Sequence, residues 1–115
     1  MDERILKWLF DIKMAIDEID SYFINESKDF FKYRNNLMLK RAVERDIEII
    51  GEATNQIIKR DKTFEIKITN AKAIISLRNQ VIHAYDNISD ENIWSILTNH
   101  LPKLKKEIEN LINEK

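Results

Sequence analysis

The sequence predicts an all-α protein, and three observations point to this fold class. One glycine and one proline among 115 residues leave few of the residues that build hairpins and tight turns. Apolar residues recur at alternating spacings of four and three, which is the pattern of a helix with one buried face. Hydrophobic residues make up 43% of the chain and charged residues 34%, a balance that suits amphipathic helices around a core and argues against disorder.

The first segment predicts a long helix over residues 2–23. Its apolar residues follow the helical spacing throughout, and they are Ile5, Leu9, Ile12, Ile16, Ile19 and Phe23. Ser27 is the expected N-cap of a short helix that continues through Tyr33.

A second long helix is predicted around Val43, Ile47, Ile50 and Ile57, up to the charged residues 59–62. Gly51 lies inside this helix, where glycine costs about 1 kcal/mol relative to alanine. The expected explanation is a close approach by another helix.

Two further helices are predicted in the second half of the chain. Asn70 is the expected N-cap of a third main helix, which turns Ile74, Leu77 and Val81 inward and ends near Tyr85. Ser89 is expected to open the last helix, in which Pro102 either causes a kink or accompanies a new helix starting at Asn99. The apolar stripe of this last segment comprises Ile93, Ile96, Leu97, Leu101, Leu104, Ile108 and Leu111.

Four main helices and a short one, joined by short links, predict an up-and-down bundle that forms one domain over residues 1–115. The centre of so small a bundle cannot easily hold all of the large aromatic residues, so we expect a self-complementary surface and a two-fold homodimer. The aromatic residues in question are Trp8, Phe10, Tyr22, Phe30, Phe31 and Trp94.

Composition excludes several classes of function. The chain has no cysteine, so disulfides, thiolate metal sites and cysteine nucleophiles are excluded. A net charge of -1 excludes a strongly basic protein that coats nucleic acid, although a local basic patch is compatible with it. No window approaches the roughly 18 uncharged residues of a membrane span, so we expect no membrane association and a cytoplasmic location.

The segment from Arg78 to Tyr85 carries the residues best suited to chemistry. Asn79 and His83 are four positions apart and share a helix face, while Arg78 and Tyr85 share the neighbouring one. A neutral histidine can take the 2'-hydroxyl proton of RNA while an arginine binds the phosphate, and this cleavage needs neither a metal nor a cofactor. Arg78 and His83 lie about 140° apart on an ideal helix, so they converge only if the helix ends or bends, or if two subunits combine their copies.

A purely structural interpretation of these residues stays open at this point. Arg78 would then form a surface or interface ion pair, and His83 would cap a helix C-terminus, where its cation suits the helix dipole. Tyr85 would pack its ring with the hydroxyl in water.

Three blocks of sequence resemble the HepT branch of the HEPN superfamily. Residues 78–86, RNQVIHAYD, resemble its motif of an arginine, four residues, a histidine, any residue and a tyrosine. Residues 41–53, RAVERDIEIIGEA, resemble its long-helix pattern, and residues 93–108, IWSILTNHLPKLKKEI, resemble its last helix. The resemblance spans almost the whole chain.

The resemblance implies a helical homodimer that acts as a metal-independent endoribonuclease toxin, with paired motifs lining a cleft between subunits. Arg78 and His83 would be catalytic, with Asn79 and Tyr85 in support. It also implies a nucleotidyltransferase antitoxin of the MNT type, which would attach AMP to Tyr85. A bulky anionic group beside Arg78 would occupy the phosphate site and repel RNA.

A non-catalytic helical dimer that binds a nucleotidyltransferase or a nucleotide is the alternative function, since the superfamily is broader than its nucleases. Its discriminator is toxicity without the partner, which a catalytic toxin shows and His83→Ala abolishes. Two smaller features of the sequence are His100 and a cationic stretch. His100 lacks carboxylates that would make it a metal ligand with His83. A cationic stretch could contact RNA or be a solvated face, and it contains Lys32, Arg34, Lys40, Arg41 and Arg45.

Overall fold

The computed structural model describes residues 1–23, 29–83 and 89–114, and of Ile82 and His83 the backbone only. This part of the chain is helical throughout, apart from short turns and links, so the all-α prediction is confirmed. Its helices are α1 (Glu3–Ser21), α2 (Phe30–Arg34), α3 (Leu37–Arg60), α4 (Phe64–Lys67), α5 (Ala71–His83), α6 (Asp90–Asn99) and α7 (Leu101–Asn113).

Helix α1 forms where the apolar spacing predicts it. The Asp2 side chain caps its N-terminus by accepting from the backbone N–H groups of Arg4 at 2.8 Å and Ile5 at 3.2 Å. The helix ends at Ser21, two residues before the predicted end. All six predicted apolar positions are buried: Ile5, Leu9, Ile12, Ile16, Ile19 and Phe23.

Helices α2 and α3 follow the prediction with a different cap for the short one. The Asp29 side chain caps α2, while the predicted cap Ser27 lies outside the described residues. The Asn36 side chain caps α3, which runs over 24 residues and therefore begins well before its first predicted core residue, Val43. The predicted stripe is buried at Val43, Ile47, Ile50 and Ile57.

In the second half of the chain, the structure contains one helix that was not predicted and decides between the two predicted outcomes at Pro102. A single-turn helix, α4, precedes α5, and Phe64 from it is buried in the core. The last predicted helix is two helices, since α6 ends at Asn99 and α7 begins at Leu101 with Pro102 in its first turn. Proline suits that position because it lacks the N–H that a first turn leaves unpaired. Ser89 caps α6 as predicted, accepting from the Asn92 N–H at 3.0 Å.

Helix α3 is the centre of the packing, because both α1 and α5 pack against it, while α7 packs against α1 and α6. An aromatic cluster joins the ends of these helices around Trp94 on α6. The ring centroid of Trp94 lies 5.9 Å from Phe23, 5.9 Å from Phe30 and 5.4 Å from Tyr33. This cluster packs α6, which follows the Arg78 segment in the chain, against α2 and against Phe23, just after α1.

The large aromatic residues divide into two groups. Trp8, Phe30 and Trp94 pack against the core, whereas Phe10, Tyr22 and Phe31 are exposed. Exposed aromatic surface is compatible with a subunit interface, but the homodimer and the up-and-down order of the bundle stay predictions. Among the described residues, none of the helices combines the length and the apolar character that crossing a membrane requires.

Candidate active site

The site begins at the closest approach between α3 and α5, where Arg78 lies directly over Gly51. A Cβ atom added at Gly51 would be 2.3 Å from Cβ of Arg78, 2.8 Å from its Cγ and 3.3 Å from the backbone oxygen of Ile74. Any larger residue at position 51 would therefore collide with the stem of Arg78. The close approach expected from a glycine inside a long helix is confirmed, and it positions the candidate catalytic arginine.

The guanidinium group of Arg78 is held at both of its terminal nitrogens. Nη2 pairs with the Glu52 carboxylate at 2.7 Å, and Nη1 donates to Oδ1 of Asn79 at 3.0 Å. Nε is buried and has no hydrogen-bond partner among the described residues. The side chain is one quarter exposed, so the guanidinium is fixed yet still reaches the surface.

Arg78 faces a groove of about 640 Å³ between α1 and α3. Its other lining residues are Trp8, Asp11, Glu48, Ile49, Glu52, Ala53 and Gln56. Three carboxylates and one guanidinium give this groove a negative balance, so it is a poor channel for the RNA backbone.

The structure keeps α5 helical from Ala71 to His83. The helix therefore does not end between Arg78 and His83, and their positions stay about 140° apart around its axis. Asn79 lies between them and is exposed. The His83 side chain and all of Tyr85 lie outside the described residues, so their roles stay predictions.

A partly buried polar contact that the sequence did not reveal links the C-cap residue of α1, Tyr22, to α3. Asp46 is 1% exposed, and its carboxylate accepts a hydrogen bond of 2.7 Å from the Tyr22 hydroxyl. Burial, followed by the neighbouring Glu18 carboxyl group, raises the pKa of Asp46 to about 6. Burial and the bond to Asp46 raise the pKa of Tyr22 to about 12. The charged or titratable groups that influence the pKa of Asp46 are Glu18 on α1, Tyr22 directly after α1, and Arg45 on α3.

The cationic stretch is partly neutralised by acidic neighbours. Lys40 pairs with Asp90 of α6 at 3.0 Å, and Arg41 pairs with Glu44 at 3.0 Å. Asp90 is therefore a second acid beside this stretch, in addition to Glu44. The Arg41 side chain is 68% exposed and keeps most of its donors free for solvent or RNA.

His100 sits in the break between α6 and α7. Its Nδ1 lies 3.5 Å from Nδ2 of Asn70, at the long limit for a hydrogen bond. Within residues 1–23, 29–83 and 89–114, no three acidic or histidine side chains are grouped so that they could hold a metal ion.

The sequence of this chain has relatives among known proteins. Residues 12–111 match the family model described as ribonuclease HepT-like, and the chain belongs to that family. The HEPN recognition made from the sequence is thereby confirmed. No solved structure matches the chain.

Three of its relatives illustrate the likeness. The chain is 35% identical to "Putative RNase MJ1380" of Methanocaldococcus jannaschii, over 95% of this chain and 98% of the relative. It is 32% identical to "Putative RNase MJ0125" of the same organism, over 99% of this chain and 97% of the relative. It is 29% identical to "Probable ribonuclease HepT" of Thermococcus cleftensis, over 90% and 92% of the two chains.

Two of the sequence blocks that carried the resemblance meet in space at this site. Residues 41–53 supply Gly51 and Glu52, and residues 78–86 supply Arg78, which contacts both. Sequence reasoning selected Arg78 and Asn79, and the structure brings them together. The sequence did not identify Glu52 as a site residue, although Gly51 beside it indicated that another helix would lie close by.

Proposed function

We propose that this protein is a metal-independent endoribonuclease whose active segment contains Arg78, Asn79, His83 and Tyr85. The observation that carries the proposal is the fixed guanidinium of Arg78, held by Glu52 and Asn79 where two HepT-like sequence blocks meet. Membership of the ribonuclease HepT-like family supports the same reaction class.

In the proposed reaction, neutral His83 takes the proton of the 2'-hydroxyl, whose oxygen attacks the adjacent phosphorus. A bond forms between the 2'-oxygen and phosphorus, and the bond from phosphorus to the 5'-oxygen breaks. The departing 5'-oxygen takes a proton from a water molecule, and the protonated His83 returns its proton to the solvent. Arg78 binds the phosphate and stabilises the added negative charge, and Asn79 orients the guanidinium.

The cleft that unites these groups is proposed to lie between two subunits. On a continuous α5 the two positions diverge, and Glu52 draws Arg78 towards α3. A two-fold axis near the end of α5 would place the arginine of one subunit beside the histidine of the other.

The deciding experiment is cleavage of total cellular RNA in EDTA by the protein, Arg78→Ala and His83→Ala, each with a confirmed helical fold. We expect cleavage by the parent and none by either variant. If all three are equally inactive on several RNAs, a non-catalytic module that binds a nucleotidyltransferase or nucleotide becomes the better description.

Mixing the two inactive variants tests the shared cleft. Subunit exchange at equal concentrations gives heterodimers in about half of the dimers, and each heterodimer carries one intact Arg78 and one intact His83. We expect RNA cleavage to return after exchange. Complete inactivity of a mixture with demonstrated heterodimers would show that each subunit works alone.

The biological setting we propose is a toxin that an MNT-type nucleotidyltransferase antitoxin neutralises by adding AMP to Tyr85. An adenylyl group two residues beyond His83 would bring a negative charge and bulk to the phosphate site. Incubation with such an antitoxin and ATP should add one AMP to the peptide containing Tyr85 and abolish RNA cleavage. A Tyr85→Phe variant that is still modified and inhibited would place the modification elsewhere.

A further inference from the structure

Arg78 is the third member of a series of polar contacts that runs from α3 to α5. Gln56 donates from Nε2 to Oε1 of Glu52 at 2.9 Å. The other oxygen of Glu52 pairs with Nη2 of Arg78 at 2.7 Å, and Nη1 of Arg78 donates to Asn79 at 3.0 Å. Each member is therefore oriented by its neighbour, and the pair of Glu52 and Arg78 joins the two helices.

We infer that Glu52 is a positioning residue for the ribonuclease reaction, which holds the Arg78 guanidinium in the orientation that binds the RNA phosphate. This inference rests on the proposed function. Glu52 does not touch the reacting atoms in this role, because it acts through Arg78.

Hydrogen-bond accounting shows that Arg78 keeps donors for RNA. An arginine offers five N–H groups, of which Asn79 accepts one from Nη1, while the Glu52 carboxylate pairs with Nη2. Nε is buried and has no hydrogen-bond partner among the described residues. Each terminal nitrogen therefore keeps at least one N–H, which is the number that a bidentate contact to phosphate requires.

The exposure of the pair indicates a role in orientation and not in folding. The Glu52 side chain is 45% exposed and the Arg78 side chain 25% exposed, and ion pairs of this kind contribute little to stability. Catalytic rates, in contrast, are sensitive to the placement of a charged group by fractions of a bond length. The loss of Glu52 should thus affect the reaction much more than the fold.

An opposite role is physically conceivable and predicts the reverse result. If the Glu52 carboxylate competed with phosphate for Arg78, it would inhibit the enzyme, and its removal would raise the rate. The two terminal N–H groups left over favour positioning, because phosphate can bind without displacing Glu52.

The test compares RNA cleavage by the parent, Glu52→Ala and Glu52→Gln. Glu48→Ala is the matched control, since Glu48 lies one turn earlier on α3 and lines the same groove. We expect Glu52→Ala to lower kcat about 10- to 100-fold with little change in KM and in the melting temperature. Glu52→Gln, which keeps an acceptor oxygen, should recover part of the rate, and Glu48→Ala should behave as the parent. An unchanged or increased kcat in Glu52→Ala overturns the inference.

A second readout separates this inference from the proposed function. In NMR spectra, rotation of the Arg78 guanidinium should be slow in the parent and in Glu48→Ala, and fast in Glu52→Ala. Equal rotation in all three overturns the positioning role even if the protein cleaves RNA. If the parent cleaves no RNA, the ribonuclease proposal fails, and the NMR comparison alone decides whether Glu52 holds Arg78.

Discussion

Replacing Gly51 with alanine tests the contact on which the whole site rests. At an open position inside a helix this change stabilises a protein by about 1 kcal/mol. Here the new Cβ would lie 2.3 Å from Cβ of Arg78, whereas ordinary van der Waals contact begins at 3.4 Å. The two helices must therefore separate locally by about 1 Å, since the Cβ of Arg78 moves only with the α5 backbone.

Such overpacking typically costs about 1–3 kcal/mol, which outweighs the gain in helix propensity. We expect Gly51→Ala to be destabilised by about 1 kcal/mol in urea unfolding followed by circular dichroism. A displacement of Arg78 by about 1 Å should also lower RNA cleavage about 100-fold in the fraction that stays folded.

The matched control is a pair of variants at Arg45, an exposed position in the same helix. Arg45→Ala should be more stable than Arg45→Gly by about 1 kcal/mol, which measures the propensity term alone. If Gly51→Ala gains the same stability as this control and cleaves RNA normally, the close approach of α5 is refuted.

Three further outcomes are expected. The pKa of Asp46 is raised from 3.8 to about 6, so protonation stabilises the fold. This contribution is complete below about pH 4 and is lost as pH rises through about 6. Between pH 5 and 8 the parent should lose about 1–3 kcal/mol of unfolding free energy relative to Asp46→Asn, and parallel pH profiles would contradict this. Charge reversal at Lys40 and Arg41 should weaken RNA cleavage, most at low salt, and unaltered cleavage would remove this stretch from the RNA-binding surface. Lys105 pairs with Asp17 at 3.3 Å and Asp20 at 3.2 Å on the surface, so Lys105→Met should cost less than about 1 kcal/mol in urea unfolding.

The long helices could be predicted because burial imposes a period of 3.6 residues on the sequence. Every residue of the predicted apolar stripe from Ile5 to Phe23 is buried, because an amphipathic helix packs one face against the core. The single turn from Phe64 to Lys67 is too short to show the helical period of apolar residues, so the sequence did not predict α4. Pro102 left two outcomes open, because a proline fits both a kinked helix and the first turn of a new one.

The candidate site could be predicted only in part, for a different reason. Arg78 and Asn79 belong to a local motif, and local spacing is visible in a sequence. Glu52 is one of several acids on α3, together with Glu44 and Glu48, and periodicity does not say which of them faces α5. Gly51 was the one available signal, because a glycine inside a helix marks the place where a neighbour approaches.

The orientation of Arg78 bears directly on how the active site can be assembled. Gly51 and Glu52 fix its stem and guanidinium against α3, while α5 continues without a break to His83. Within one subunit, the positions of Arg78 and His83 stay about 140° apart around the axis of this continuous helix. Pairing the motifs of two subunits leaves both contacts intact. The proposed dimeric cleft is therefore compatible both with the contacts that Gly51 and Glu52 make to Arg78 and with the proposed chemistry of Arg78 and His83.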